Sequence, residues 1–308
     1  MHKISPFALS LDGIDPVPEP LFPEGFPGFD PQADNLAVVT NPEIAERDGY
    51  LDRHIANVRT PLLYAYPAAA GNNNGAAMLI CPGGGYHCLA FDKEGTEFAR
   101  FFNSIGFSAF VLHYRTFGLK EQWGTSPYGP LREAQRALRI IRARTKQYGI
   151  CQDKIGIMGF SAGAHLAACA ATLFTDQDEA RTDLAGLSAR PDFCALIYPV
   201  VTFLNEKRHY GSAQALLGDG ADNALLRKFS PEVNVTAAVP PTFLLQAVDD
   251  SVPVENSLLF FKALKAAGVP VEMHLYPKGG HGYGMRQRGL PIDTWPDRLR
   301  DWVLTQLH

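Results

Sequence analysis

Four short stretches of the chain hold residue types that do chemistry together. In GFSAG, Ser161 stands between Gly159 and Gly163, with the apolar run KIGIM before it and the small-residue segment AHLAACAATLF after it. Such a serine is either a small residue where a strand runs into a helix, or a hydroxyl nucleophile held on a strained turn. The second role needs small residues two positions before and two after, because those positions crowd each other. Chance supplies about 0.1 G-x-S-x-G matches in a chain this rich in glycine, so the surroundings must decide. The second stretch, CPGGGYHCLA, follows another apolar run. Three successive glycines let backbone come close to a ligand. They do not make a dinucleotide loop, since G-x-G-x-x-G would need glycine where Cys88 stands, and no Walker lysine follows. They suit a set of N–H donors aimed at a developing oxyanion: the amides of Gly84 and Gly85, with that of Ala162 just after the serine. Which glycine donates is left open.

A hydroxyl nucleophile needs a general base, and the base needs an orienting carboxylate. Of nine histidines, His281 in PKGGHGYG lies on a glycine-rich loop just past the last apolar run. His165 is one helical turn beyond Ser161 and reads as a packing residue. His87 reads as a loop anchor, and His113 and His274 fall within strands. The carboxylate belongs between serine and histidine in chain order. LLQAVDDSVPVENS offers Asp249 and Asp250 at the end of a strand. Asp249, expected to be the first residue past that strand, is assigned to hold the imidazole. Asp250 is the alternative, with a turn-capping role otherwise.

These residues need elements to position them. Apolar runs at 62–66, 77–81, 108–113, 154–159, 193–198, 242–248 and 271–276 predict strands, most buried on both faces. They alternate with helices expected over 93–104, 129–148, 161–173, 254–267 and 296–307. In LREAQRALRIIRAR, Leu131, Ala134, Leu138 and Ile141 form one stripe and arginines the other. The alternation predicts an α/β fold with a mostly parallel central sheet and helices on both faces. Residues 1–54 are proline-rich and predict an N-terminal arm on or before a catalytic domain at 55–308. Two segments break the alternation, 116–128 and 201–239; both follow strand ends, where they either wall a pocket or form surface loops.

Composition bounds the function. With 308 residues, 46% of them hydrophobic, the chain can fill a sizeable core. A net charge of -4 with no basic block argues against nucleic acid. No apolar run approaches the roughly 20 residues that cross a bilayer, so no membrane partner is expected. The N-terminal MHKISPFALSLDGIDP lacks the apolar run of a leader, and five cysteines form no C-x-x-C pair. The expected compartment is the cytoplasm, without disulfides or a zinc site.

At CPGGGY, the following FDKEGTEFARFFNSIGFSAFVLHYR, DKIGIMGFSAGAHLA, RPDFCALIYPV and DDSVPVENSLLFFKALKAAGVPVEMHLYPKGGHGYG, the chain resembles the α/β-hydrolase superfamily, and more narrowly its acetylxylan-esterase-like branch. The resemblance runs from about residue 55 to the C-terminus. Lipase-like members usually carry H-G-G-G where Pro82 precedes the three glycines, and many read S-A-G-G where Ala164 stands; neither change removes a backbone donor. The resemblance implies a carboxylic-ester hydrolase that needs no metal or organic cofactor and acts on a small acylated substrate, such as an acetylated sugar or oligosaccharide. A serine peptidase of the same fold, or a non-catalytic ligand-binding relative, is the alternative.

Overall fold

Strands of unbroken apolar residues must be covered on both faces, and five of them form the centre of the sheet. In the computed structural model, which describes residues 5–23, 25, 37–43, 46, 49–116, 127–175, 184, 186–204 and 206–308, every residue of β5 (Ala77–Cys81), β7 (Ser108–His113), β8 (Ile155–Phe160), β9 (Phe193–Ile197) and β10 (Thr242–Ala247) is buried. The main sheet also holds β1 (Glu19–Pro20), β4 (Leu62–Tyr66) and β11 (Val271–Tyr276), in the order β1-β4-β7-β5-β8-β9-β10-β11. The pairs from β7 to β11 are parallel, while β4 runs antiparallel to β7 and β1 antiparallel to β4. At the edge, VEMHLY of β11 is only partly buried.

From β5 the chain passes first to β7 on one side and then to β8 on the other. Strand order therefore reverses between β5 and β8, and in open α/β sheets ligands bind outside the carboxyl ends of the strands at such a switch point. The glycine loop leaves β5 there, and Ser161 leaves β8.

The helices are α1 (Glu97–Ser104), α2 (Gly129–Ala143), α3 (Thr145–Tyr148), α4 (Ala162–Thr172), α5 (Tyr210–Leu217), α6 (Asn223–Lys228), α7 (Glu255–Ala266) and α8 (Trp295–Thr305). A π-helical turn, Asp92–Thr96, precedes α1. The single helix expected over 129–148 breaks at Arg144, and its second piece closes on Gly149 with φ 63°. Its arginine stripe is not a solvent face. Arg136 Nε donates to Leu21 O, Arg139 Nε to Leu187 O, and Arg142 Nε to Gln152 O. The fork geometry of guanidinium thus stitches α2 to the segments around it. Helix α4 is buried all round, as its run of small residues permits.

The N-terminal residues contribute strands that their proline content concealed. Leu21 is fully buried, and β1 pairs with β4 through Glu19↔Leu63. A second, antiparallel sheet joins β2 (Ala37–Thr40), β3 (Arg53–Ala56) and β6 (Cys88–Ala90), so strand β3 crosses the boundary expected at residue 54. Of the two interrupting segments, all of 116–128 except residues 116, 127 and 128 lies outside the described residues. The other, expected as an insertion, carries α5, α6 and a 3-10 turn, Pro231–Val233.

Candidate active site

The turn after β8 puts Ser161 at φ 51°, ψ -119°, a conformation that non-glycine residues rarely hold. It persists because the turn is over-determined: Ser161 N–H donates to Ile197 O, and Ser161 O accepts from Ala164 and His165. The flanking glycines are steric requirements. A Cβ on Gly159 would lie 2.2 Å from Gly163 O, and one on Gly163 would lie 2.1 Å from Cys81 O. The serine is 8% exposed.

His281 reaches it from the loop after β11. The His281 Nε2 to Ser161 Oγ distance is 2.8 Å, and His281 Nδ1 lies 2.8 Å from Asp250 Oδ1. A carboxylate only accepts, so Nδ1 carries the proton and Nε2 is left to accept from the serine hydroxyl. The ring is held edge-on by Tyr198, with centroids 4.9 Å apart.

The carboxylate on the imidazole is Asp250, not the expected Asp249. Strand β10 stops at Ala247 rather than Val248, and Val248 and Asp249 turn outward. Asp249 Oδ1 accepts instead from the amides of Gly279 at 2.9 Å and Gly280 at 2.7 Å, which fastens the histidine loop. Those backbone bonds, Gly280 first, hold its carboxyl below the usual range. Asp250 turns back inward, its side chain fully covered, and Oδ1 also accepts from Val252 N–H at 2.7 Å.

The glycine loop stands opposite. Gly84 and Gly85 have φ 136° and 64°, and a Cβ on Gly84 would sit 2.0 Å from Cys88 O. Their amides, and that of Ala162, meet no protein acceptor among the described residues. Buried side chains fix the loop around them. Tyr114 donates its hydroxyl to Pro82 O at 2.6 Å. Tyr86 Oη lies 2.8 Å from His165 Nδ1, and His165 Nε2 lies 2.8 Å from Phe229 O. Only an N–H can bond that carbonyl, so Nδ1 is the acceptor of the Tyr86 hydroxyl. Burial pushes His165 down to about 4, which keeps it neutral. His165, expected only to pack, therefore joins the glycine loop to the segment after α6. His209, at the N-terminus of α5, was not among the expected site residues. Burial, then the nearby His281, depresses its pKa, with Asp250 and His87 also in range. The 201–239 segment thus approaches the site.

Among the described residues no group of three or more His, Cys, Asp or Glu is placed to hold a metal ion, and no helix is long and apolar enough to cross a membrane. The five cysteines are free thiols.

Several known proteins are similar to this chain over most of its length. The BD-FAE family matches residues 65–264. An endo-1,4-beta-xylanase B of Butyrivibrio fibrisolvens is 39% identical over 67% of this chain and 32% of its own length. An acetylxylan esterase of Xylanibacter ruminicola is 31% identical over 69% of this chain and 42% of its own. The chain thus spans a third to two-fifths of these curated relatives. The crystal structure of an acetyl ester-xyloside bifunctional hydrolase from Caldicellulosiruptor lactoaceticus is similar over 96% of this chain and 98% of that one, with 34% identity and a TM-score of 0.75. The carboxylesterase Cest-2923 from Lactobacillus plantarum, 22% identical with a TM-score of 0.65 over 88% of this chain and 98% of that one, shares the fold.

Proposed function

Because the chain belongs to the BD-FAE family of α/β-hydrolases, we propose that it is a serine carboxylic-ester hydrolase that removes acetyl groups from xylan-type oligosaccharides. The observation that carries the reading is the hydrogen-bonded chain from Ser161 through His281 to Asp250, facing the unpaired amides of the glycine loop.

Ser161 Oγ attacks the ester carbonyl carbon while its proton passes to His281 Nε2. The carbonyl electron pair moves onto oxygen and is met by N–H groups from Gly84, Gly85 and Ala162, which cost no reorganisation because the loop is already fixed. Asp250 stabilises the imidazolium without taking its proton. The tetrahedral intermediate collapses, the bond to the leaving oxygen breaks, and His281 returns the proton to the sugar hydroxyl. Water then attacks the acetyl-serine, giving its proton to His281; acetate leaves and Ser161 is restored. The acetyl-xylose substrate class draws on the relatives, whose names describe xylan-directed and acetyl-ester-directed proteins.

The test is acetate release from acetylated xylo-oligosaccharides, beside aryl acetate and aryl butyrate, by wild type and Ser161→Ala. Wild type is expected to release acetate from the sugar, and the variant to lose about 10³-fold or more in kcat. Aryl-ester turnover without sugar-ester turnover would overturn the substrate class; undiminished turnover by Ser161→Ala would overturn the mechanism.

A further inference from the structure

The loops bearing the oxyanion amides and the base come from opposite sides of the serine, and one buried carboxylate touches the supports of both. Glu94 lies in the π-helical turn before α1, where Asp92, Glu94, Gly95 and Thr96 are all buried. Such turns are rare and frequent at functional sites. Glu94 Oε2 accepts the Gly83 N–H at 2.8 Å, next to the two free amides. Its Oε1 accepts the Tyr198 hydroxyl at 2.8 Å, and Tyr198 Oη accepts the Gly284 N–H at 3.2 Å, three residues past His281. Tyr198 also packs its ring against the His281 imidazole.

Every link has a fixed sense. Glu94 is 3% exposed and Tyr198 fully buried. Burial, then the adjacent Glu94 carboxylate, raises the Tyr198 phenol well above its usual range, so it remains a donor to Glu94. Tyr198 itself holds φ 38° just past β9, a strained position from which its ring packs against His281 and Tyr283. A buried carboxylate is costly unless its oxygens are bonded. Here both accept from groups belonging to different arms of the site. Glutamine would serve only one of them, since its amide nitrogen would face a donor.

We propose that Glu94 is a positioning residue: through Gly83 on one side and Tyr198–Gly284 on the other, it sets the oxyanion amides relative to His281. The proposal rests on the reading that Ser161 and His281 do the chemistry. It places no atom of Glu94 on the substrate, so its effect must fall on the tetrahedral state and not on ground-state binding.

Glu94→Gln and Tyr198→Phe would be compared with wild type for kcat and KM on an aryl acetate. Affinity would be measured for a trifluoromethyl ketone, which adds to Ser161 and places an oxyanion, and for the matching unreactive amide. Glu94→Gln is expected to lose about 10- to 100-fold in kcat, less than or equal to removal of a direct donor, with a matching loss of ketone affinity. KM and amide affinity should stay within about 2-fold. Tyr198→Phe should show a smaller loss of the same form, and it carries the test alone if Glu94→Gln does not melt cooperatively. Unchanged ketone affinity, whether or not kcat falls, would overturn the proposal, as would equal losses of ketone and amide affinity. Failure of the serine reading is separable, because it would show as turnover surviving Ser161→Ala.

Discussion

Asp249 and Asp250 are adjacent in sequence, yet one fastens a loop from outside and the other sits covered beneath the imidazole. Ser161 and His281 were legible because each is flanked by glycines that have no other evident purpose. The choice between the aspartates was not, because it depends on where β10 stops, and a one-residue shift in that end reverses which side chain faces inward. Glu94 and Tyr198 were invisible for a different reason: their roles are set by partners 11 and 104 residues away along the chain. In the proposed mechanism Asp250→Asn should lower kcat by about 10³- to 10⁴-fold, because the amide supports the wrong imidazole tautomer. Asp249→Asn, which still presents an oxygen to Gly279 and Gly280, should cost less than about 10-fold. Steady-state kinetics on one aryl acetate decides it, and a larger loss at Asp249 would contradict the assignment.

Elements buried on both faces were legible as apolar runs, and the order of chemical residues along them followed. The π-helical turn, the break at Arg144 and helices α5 and α6 were not, because short or interrupted helices lack the sustained period that reveals a long one. Strand β1 is two residues of a proline-rich segment, held by pairing with β4 rather than by its own propensity. The strand–turn–helix unit at Ser161 makes the sharpest claim at this scale. Helix α4 packs so closely on the glycine loop that a methyl group at Gly163 would meet backbone oxygens of Cys81 and Pro82 at 2.1 and 2.4 Å. Backbone has little room to yield, so Gly163→Ala should destabilise by about 3 kcal/mol or more, at the upper end of overpacking costs. Urea denaturation followed by fluorescence measures it; a midpoint equal to that of wild type would show that the elbow is not packed as described.

Across the whole molecule, the N-terminal residues are joined to the domain by buried charges. Arg286 Nη2 bonds Asp52 Oδ1 at 2.7 Å and lies 3.5 Å from Glu97 Oε1, while Arg53 bonds Asp92. Burial raises the Glu97 carboxyl to about 7, with Arg286 opposing that shift and the Asp52 and Asp92 carboxylates adding to it. A folded pKa above the unfolded value of about 4.5 means that the folded state holds the extra proton between those limits. Stability from this group is full below about 4.5, falls as pH rises toward 7, and is level beyond. The melting temperature of Glu97→Gln minus that of wild type should therefore grow from pH 4.5 to 7 and then plateau; a difference independent of pH would contradict this. The same long-range organisation assembles the site, since residues near positions 84, 161, 250 and 281 meet only when β5, β8, β10 and β11 lie in one sheet. Fluorophosphonate labelling followed by intact-mass and peptide analysis tests that assembly and the serine together. One adduct, on Ser161, is expected in the native protein, and none after unfolding in urea or in Ser161→Ala. An unlabelled native protein, or an adduct carried by Ser161→Ala, would contradict it.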